Sequence, residues 1–290
     1  MRVAVVGAGG FIGRHLIEAL TVRADEVVAI SSKSADAFDQ RTGILVDRPP
    51  SDRPIDALVY LAQSPHYREV PAQAPHLWGV NVVSAIKAAE WARRCGATCI
   101  IYASTGNVYE PSFSAHTEAG PVRRDDWYAL SKAHAEEALW LMPDIRATSV
   151  RLFGVYGPGQ RDKLIPNLAR TIARDERIHL HGHPTDRDDR DGLRLSLTYV
   201  DDVVRALLQV IIGKAGPALN VAGPEVLSIR DIARTIGDRI GVPPVFTTDP
   251  EPRTCDLVAD NAMVSALVGG AFTAFSSGII PTIDELRNCP

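Results

Sequence analysis

The segment Gly7-Ala8-Gly9-Gly10-Phe11-Ile12-Gly13 follows directly on the β-branched run Arg2–Val6, and it constrains the fold more than any other stretch. A strand that turns through glycines into a helix presents a helix N-terminus, with its unpaired N–H groups, to a pyrophosphate. Gly7 permits the tight turn and Gly10 lets the backbone approach the anion. Gly13 allows close helix–strand packing, with Phe11 and Ile12 at the helix opening. The spacing is GxxGxxG, and Gly9 also satisfies a GxGxxG pattern.

Downstream, apolar runs over 26–30, 55–62, 98–103 and 147–153 read as strands. They alternate with helical spacing over 15–23, 80–94 and 128–141. In the 80–94 segment Val82, Val83, Ile86, Ala89 and Ala92 form the expected inward face. Strands separated by long helices mean βαβ units, hence an α/β fold with a doubly wound parallel sheet of Rossmann type and ligands at the carboxyl strand ends. After Gly157-Pro158-Gly159 the pattern changes to a helix over 164–174 and a polar, loop-like stretch over 179–194. A strand over 196–200 follows, then Asp201-Asp202 opening a helix over 203–212, and a short buried run over 219–221. Ser228, with Asp231 three residues on, caps a helix that ends at Gly241. With no repeat and no low-complexity linker, a smaller C-terminal substrate domain is expected to interleave with the first. The dinucleotide-binding domain is then 1–155 and 196–222, and the substrate domain 156–195 and 223–290.

Composition serves to exclude. With 31 Lys+Arg against 35 Asp+Glu the formal charge is −4, which disfavours a nucleic-acid groove. No apolar run is long enough to span a bilayer, and the start of the chain lacks secretory character, so a cytoplasmic location and no membrane partner are expected. Cys95, Cys99, Cys255 and Cys289 are too scattered for a disulfide framework.

Tyr128 and Lys132 stand four residues apart, on one face of a helix. A phenol is a poor acid or base at neutral pH, but a neighbouring ammonium favours its phenolate. Upstream, Ser104-Thr105 arrives at the carboxyl end of a strand, where Thr105 can hydrogen-bond a reacting oxygen.

Together these residues resemble an extended short-chain dehydrogenase/reductase of the nucleotide-sugar epimerase/dehydratase family. The resemblance runs through Leu58–Ala62, Asn81, Ser104–Tyr109, Tyr128–Lys132, Arg151–Gln160, Leu197–Asp202, Leu219–Gly223 and Arg253–Asp256. It implies an oxidoreductase that passes a hydride between sugar and nicotinamide, by 4-ketoreduction or 4-epimerisation of a nucleotide sugar. Thr105, Tyr128 and Lys132 are then catalytic, Tyr128 moving the hydroxyl proton. Leu61, Ala62, Asn81, Ala103, Tyr128, Lys132 and Phe153 contact the cofactor, and Thr105, Gly154, Arg253 and Asp256 the substrate. Arg253 and Asp256 fit an RxxD pattern that holds nucleotide phosphates and ribose. The family also implies a homodimer through a four-helix bundle, for which Trp91 and Trp140 supply large apolar side chains on the two helices concerned.

Several positions depart from the family. Gly106-Asn107 replaces the Asp-Glu pair of the dehydratases, which disfavours dehydration. Ser31-Ser32-Lys33 stands where an acid binds the NAD ribose, and it can accept a 2′-phosphate, so NADP is expected in preference to NAD. Gly154 replaces an Asn, and Leu195 an Arg, with Arg194 one place off. His179, His181 and His183 lack a convincing acidic or Cys companion, so no metal is expected. Residues 186–191 read as a solvated loop. Two other readings stay open: a non-catalytic dinucleotide-binding sensor or scaffold, which loss of Tyr or Lys would mark, and reduction of a small non-sugar carbonyl, which an apolar segment in place of Arg253/Asp256 would mark.

Overall fold

The computed structural model describes residues 1–31, 37–48, 53–213 and 215–288. The chain divides into two units: Met1–Glu110, Ala119–Leu152 and Val204–Leu219 in the first, Pro111–Glu118, Phe153–Val203 and Asn220–Pro290 in the second. Residues 196–203, expected with the sheet domain, fall in the second. Their strands pair with short strands outside the main sheet.

The central sheet is built from β1 (Arg2–Val6), β2 (Glu26–Ile30), β3 (Ala57–Tyr60), β4 (Cys99–Thr105) and β5 (Arg146–Leu152). The remaining strands are β6 (Val155–Tyr156), β7 (Arg177–His181), β8 (Arg194–Ser196), β9 (Thr198–Tyr199), β10 (Ala218–Val221), β11 (Val226–Ser228) and β12 (Val245–Asp249). Sheet order is β10-β5-β4-β3-β1-β2, and β1 pairs parallel with β2 and β3, as does β4 with β3 and β5. Every residue of β4 is buried, as a strand covered on both faces requires.

Helices α1 (Phe11–Val22), α2 (Ala74–Trp78), α3 (Ser84–Arg94) and α4 (Trp127–Trp140) accompany the sheet. α1 begins at Phe11 with Gly10 as its N-cap, earlier than the side-chain periodicity indicates, because the glycines carry no apolar signal. Ala88, Ala92, Ala135 and Leu139 of α3 and α4 pack with Ala4, Leu58, Ile100 and Tyr102 on one face. On the opposite face Cys99 Sγ meets the Val210 carbonyl of α6 (Val200–Ile212). Helices therefore cover both faces of the sheet, which is the doubly wound arrangement.

The helix expected over 80–94 starts with a π-helical turn, Gly79–Val83, that precedes α3. The extra residue rotates the following face. Within the turn Val83 is exposed, not inward, while Val82, Ala89 and Ala92 are buried as expected, together with Ala88 and Trp91. The turn frees carbonyls that strand tyrosines satisfy: Tyr60 donates to Val80 O at 2.5 Å and Tyr102 to Asn81 O at 3.0 Å.

The second unit has its own core. α5 (Leu164–Ala173), α7 (Ile229–Ile240), α8 (Ala262–Val268) and α9 (Phe275–Asn288) are its further helices. Ile165, Leu168, Ile232, Ile236, Ile279 and Ile283 pack together with Ile178 and Leu180 of β7. α7 has the expected capping box, Ser228 with Asp231, and Gly241 closes it at φ +82°. The polar reading of 179–194 is corrected at both ends. β7 runs to His181 in parallel pairing with β12, and β8 begins at Arg194. Buried Ile178 and Leu180 alternate with exposed Arg177, His179 and His181, but polar residues outnumber apolar ones and mask the alternation. Among the described residues no helix is long and apolar enough to cross a membrane.

Candidate functional site

The glycine turn folds as its spacing demands. Gly7 has φ +88°, and a Cβ there would lie 2.7 Å from the Ala62 amide nitrogen. A Cβ on Gly13 would strike the carbonyls of Gly7 and Ala8, so only glycine lets α1 approach the turn. In front of the turn is a cavity of about 410 Å³ lined by Gly7, Gly10, Ser31, Leu61, Ala62 and Gln63, among others. The open glycine backbone, the helix N-terminus and the cavity size fit a dinucleotide pyrophosphate and its attached ribose. Phe11 and Ile12 are half-buried on α1, Phe11 with its ring edge-on to His15. Ser32 and Lys33 lie outside the described residues.

The catalytic residues converge on the carboxyl end of β4. Thr105 ends the strand, two places beyond Ala103, and its Oγ1 accepts the Asn107 amide at 3.2 Å. The Asp126 carboxylate caps α4 by accepting the Ala129 amide at 2.8 Å, which starts the helix one residue before Tyr128. A buried ion pair fastens α4 to β5: Arg151 donates to Glu136 through Nε at 3.1 Å and Nη2 at 2.7 Å, and to the Tyr109 hydroxyl through Nη1 at 2.8 Å. Breaking such a pair from one side typically costs about 3–5 kcal/mol, so the register of α4 is firmly set.

On that helix the Tyr128 hydroxyl donates to Gln63 Oε1 at 3.0 Å, with the Tyr67 ring 5.4 Å from its own. Burial holds the phenol's pKa above its ordinary value, and a hydrogen bond with Thr105 offsets only part of that rise. Lys132 is almost fully buried. Its Nζ donates to Ala103 O at 2.7 Å and sits 4.7 Å above the Tyr102 ring. Burial pulls its pKa down to about 7, against the opposing charge of Glu136. The phenol thus has a hydroxyl neighbour at the strand end, with a lysine one helical turn behind it. That arrangement can deliver and recover a proton.

Asn81 is fully buried and acts as a tie: its Oδ1 accepts the Ser64 amide at 3.3 Å, and its Nδ2 donates to Ser131 Oγ at 3.0 Å. Gln63 was not legible as a site residue, because its contact with Tyr128 spans 65 positions and follows no spacing rule. It also lines the glycine-turn cavity, so it links the two halves of the site.

In the second unit, Phe153 is fully buried; its amide donates to Val221 O and its carbonyl accepts from Thr198 Oγ1. Gly154 has φ +44°, and a Cβ there would lie 2.7 Å from Leu197 Cδ2 and Ser196 O. An Asn side chain has no room at this position. Leu195 is buried, and Arg194 turns to Asp189, with Nε at 3.1 Å from Oδ2. Arg253 and Asp256 are brought together, both buried, with Nε–Oδ1 at 2.8 Å. The solvated-loop reading of 186–191 is corrected at Asp189, which is only 8% exposed and holds Arg253 Nη2 at 2.7 Å. Attraction to guanidinium outweighs its desolvation. The expectation that the histidines lack an acidic companion is corrected: Asp249 lies 2.9 Å from His179 Nδ1 and 3.5 Å from His181 Nε2, and His181 Nδ1 is 2.9 Å from Glu251 O. Trp91 packs in the sheet core and so is not available at a dimer surface, while Trp140 stays partly exposed and donates to Pro217 O.

The chain is similar to UDP-glucose 4-epimerase of Mycolicibacterium smegmatis, 26% identical over 99% of each chain. It is 28% identical to dTDP-4-dehydro-6-deoxy-D-allose reductase of Streptomyces bikiniensis, covering 86% of this chain and 84% of the relative. Among solved structures, MoeE5 in complex with UDP-glucuronic acid and NAD superposes over 100% of both chains at 25% identity, with a TM-score of 0.79. Residues 3–222 match the NAD dependent epimerase/dehydratase family. The chain belongs to that family.

Proposed function

We propose that this protein moves a hydride on and off the sugar of a nucleotide-activated sugar, as a 4-epimerase or a 4-ketoreductase. The observation that carries the proposal is the convergence of Thr105, Tyr128 and Lys132 at the end of β4, joined through Gln63 to the glycine-turn cavity. A bound nicotinamide dinucleotide supplies the hydride acceptor or donor. Gly7, Gly10 and the N-terminus of α1 would hold its pyrophosphate. Tyr128 gives a proton to, or takes one from, the reacting oxygen, and Thr105 orients that oxygen. Lys132 lends positive charge when protonated, which lowers the cost of the phenolate. Arg253 and Asp256 are assigned to the nucleotide diphosphate and ribose. Gly106-Asn107 provides no acid–base pair for elimination of water, which argues against dehydration.

NADP is the proposed cofactor because Ser31 puts a hydroxyl in the cavity where NAD-binding chains place a carboxylate. One observation favours NAD instead. Asp39 lines the same cavity, and the Thr42 and Arg41 amides hold its carboxyl below the usual range, so it is an anion. A homodimer belongs to the same proposal, with Val83, Trp127 and Trp140 as its exposed apolar residues.

The test is direct. UDP-glucose, dTDP-glucose and GDP-mannose are incubated with the protein and NAD, and their 4-keto-6-deoxy derivatives with NADPH or NADH, with products read by NMR. Inversion or reduction at C4 that disappears in Tyr128→Phe supports the proposal. Bound cofactor with no turnover on any of these substrates refutes it.

A further inference from the structure

Four charged side chains of the second unit form one cluster whose formal charges cancel: Arg253 and Arg194 with Asp189 and Asp256. Arg253 gives Nε and Nη2 to Asp256, at 2.8 and 3.3 Å, and Nη1 and Nη2 to Asp189, at 3.2 and 2.7 Å. Two edges of the guanidinium fork are therefore already filled by carboxylates, in the paired geometry that a phosphate group would use. The Phe113 ring, 5.6 Å from the guanidinium carbon, fixes the plane of the fork.

The two carboxylates are anchored differently. Asp256 belongs to the backbone framework: its Oδ1 accepts the Arg194 amide at 2.9 Å, and its own amide donates to Ser112 O at 2.8 Å. Asp189 lies between β7 and β8, with exposed residues on either side of it. It has a second guanidinium, Arg194, within 3.1 Å, on a side chain that is 47% exposed. It also borders a hollow of about 260 Å³ shared with Asp186, Arg187 and Arg190. Asp189 can thus leave Arg253 without losing every cationic partner, and there is space beside it. Asp256 cannot leave without giving up the Arg194 amide, whereas the backbone partner of the Asp189 carboxylate, Asp191, lies two residues away on its own segment.

We propose that Asp189 occupies the place of a ligand phosphate on Arg253, and that the diphosphate of an incoming nucleotide displaces it onto Arg194. This rests on the reading of Arg253 as the diphosphate ligand. Asp189 is then a built-in competitor that selects for the phosphorylated part of the ligand. A nucleoside without phosphates has nothing to exchange for the carboxylate and leaves the cluster closed.

The test uses the full chain saturated with whichever of NADP and NAD it binds more tightly, and calorimetric titration of UDP, dTDP and GDP, each beside its nucleoside. Asp189→Asn keeps the size of the side chain but removes its charge and turns one acceptor oxygen into an amide donor, which cannot receive a guanidinium N–H. The expected result is diphosphate binding tighter by about tenfold, with nucleoside binding unchanged. Weaker or unchanged diphosphate binding overturns the proposal. Arg253→Lys separates this outcome from failure of the underlying reading. It keeps a cation between the carboxylates but loses the fork, so diphosphate affinity should drop if Arg253 is the ligand. An unchanged affinity in Arg253→Lys would reject that reading itself.

Discussion

Lys132→Met should stabilise the cofactor-free protein while impairing its function, and the stabilisation should depend on pH. Lys132 is 2% exposed, and burial brings its pKa from 10.5 to about 7. At about 1.4 kcal/mol per pH unit, this corresponds to about 5 kcal/mol of penalty for carrying the charged side chain into the fold. Methionine escapes that penalty and fills a similar volume. Against it, Ala103 O loses a 2.7 Å donor, at a cost of about 1–3 kcal/mol, and the contact with the Tyr102 ring is lost, at about 1 kcal/mol. A net gain of about 1–3 kcal/mol at pH 7 is expected. Between about pH 7 and 10.5 the unfolded wild-type chain holds a proton that the folded chain has released, so wild-type stability rises with pH across this window. The advantage of the variant is therefore greatest at and below pH 7 and fades toward pH 10.5. Urea denaturation of both proteins from pH 6.5 to 10, without cofactor, measures the difference. A variant less stable than wild type throughout, or a difference that does not change with pH, refutes the reasoning.

Tyr128→Phe should leave the urea midpoint nearly unchanged, since the hydroxyl's acceptor Gln63 is exposed, and should lower turnover by about 10²–10⁴-fold; near-normal turnover on an accepted substrate would remove Tyr128 from the chemistry. Lys132→Met should also weaken cofactor binding, as titration of the cofactor would show; unchanged affinity would leave Lys132 with its electrostatic role alone. Ser31→Asp adds a carboxylate to the cavity and should shift the ratio of NAD to NADP dissociation constants towards NAD by about 1–3 kcal/mol; a ratio that does not move means position 31 is not at the 2′-phosphate. Light scattering at micromolar concentration should give a dimer mass, and a monomer mass would dismiss the dimer.

The first unit was largely legible because its signals are local. A β-branched strand, a glycine turn and a phenol–lysine pair one helical turn apart can each be read within a window of a few residues. The second unit was less so. β7 finds its partner β12 some 70 positions away, as the His179–Asp249 contact shows, and its alternation is written mostly in polar residues. The acid-rich run around Asp189 has the composition of a solvated loop, and only its tertiary partner Arg253 reveals a buried ion pair. Gln63 and the exposure of Val83 were missed for related reasons: one depends on a distant contact, the other on a single extra residue in a helical turn.

That extra residue also has consequences for engineering. The π-helical turn at Gly79–Val83 is pinned by two hydroxyls from two different strands. It therefore behaves as a reading-frame shift written into a helix. Removing one residue from the turn would rotate every later side chain of α3 by about a quarter of a turn or more, withdrawing Trp91 from the core. Tyr60→Phe or Tyr102→Phe alone would leave one carbonyl without its donor and the frame intact. With both tyrosines replaced, the insertion keeps only the Ser84 hydroxyl on Gly79 O and the Asn81 ties, and a one-residue deletion at this point should then be tolerated better than in the wild-type chain.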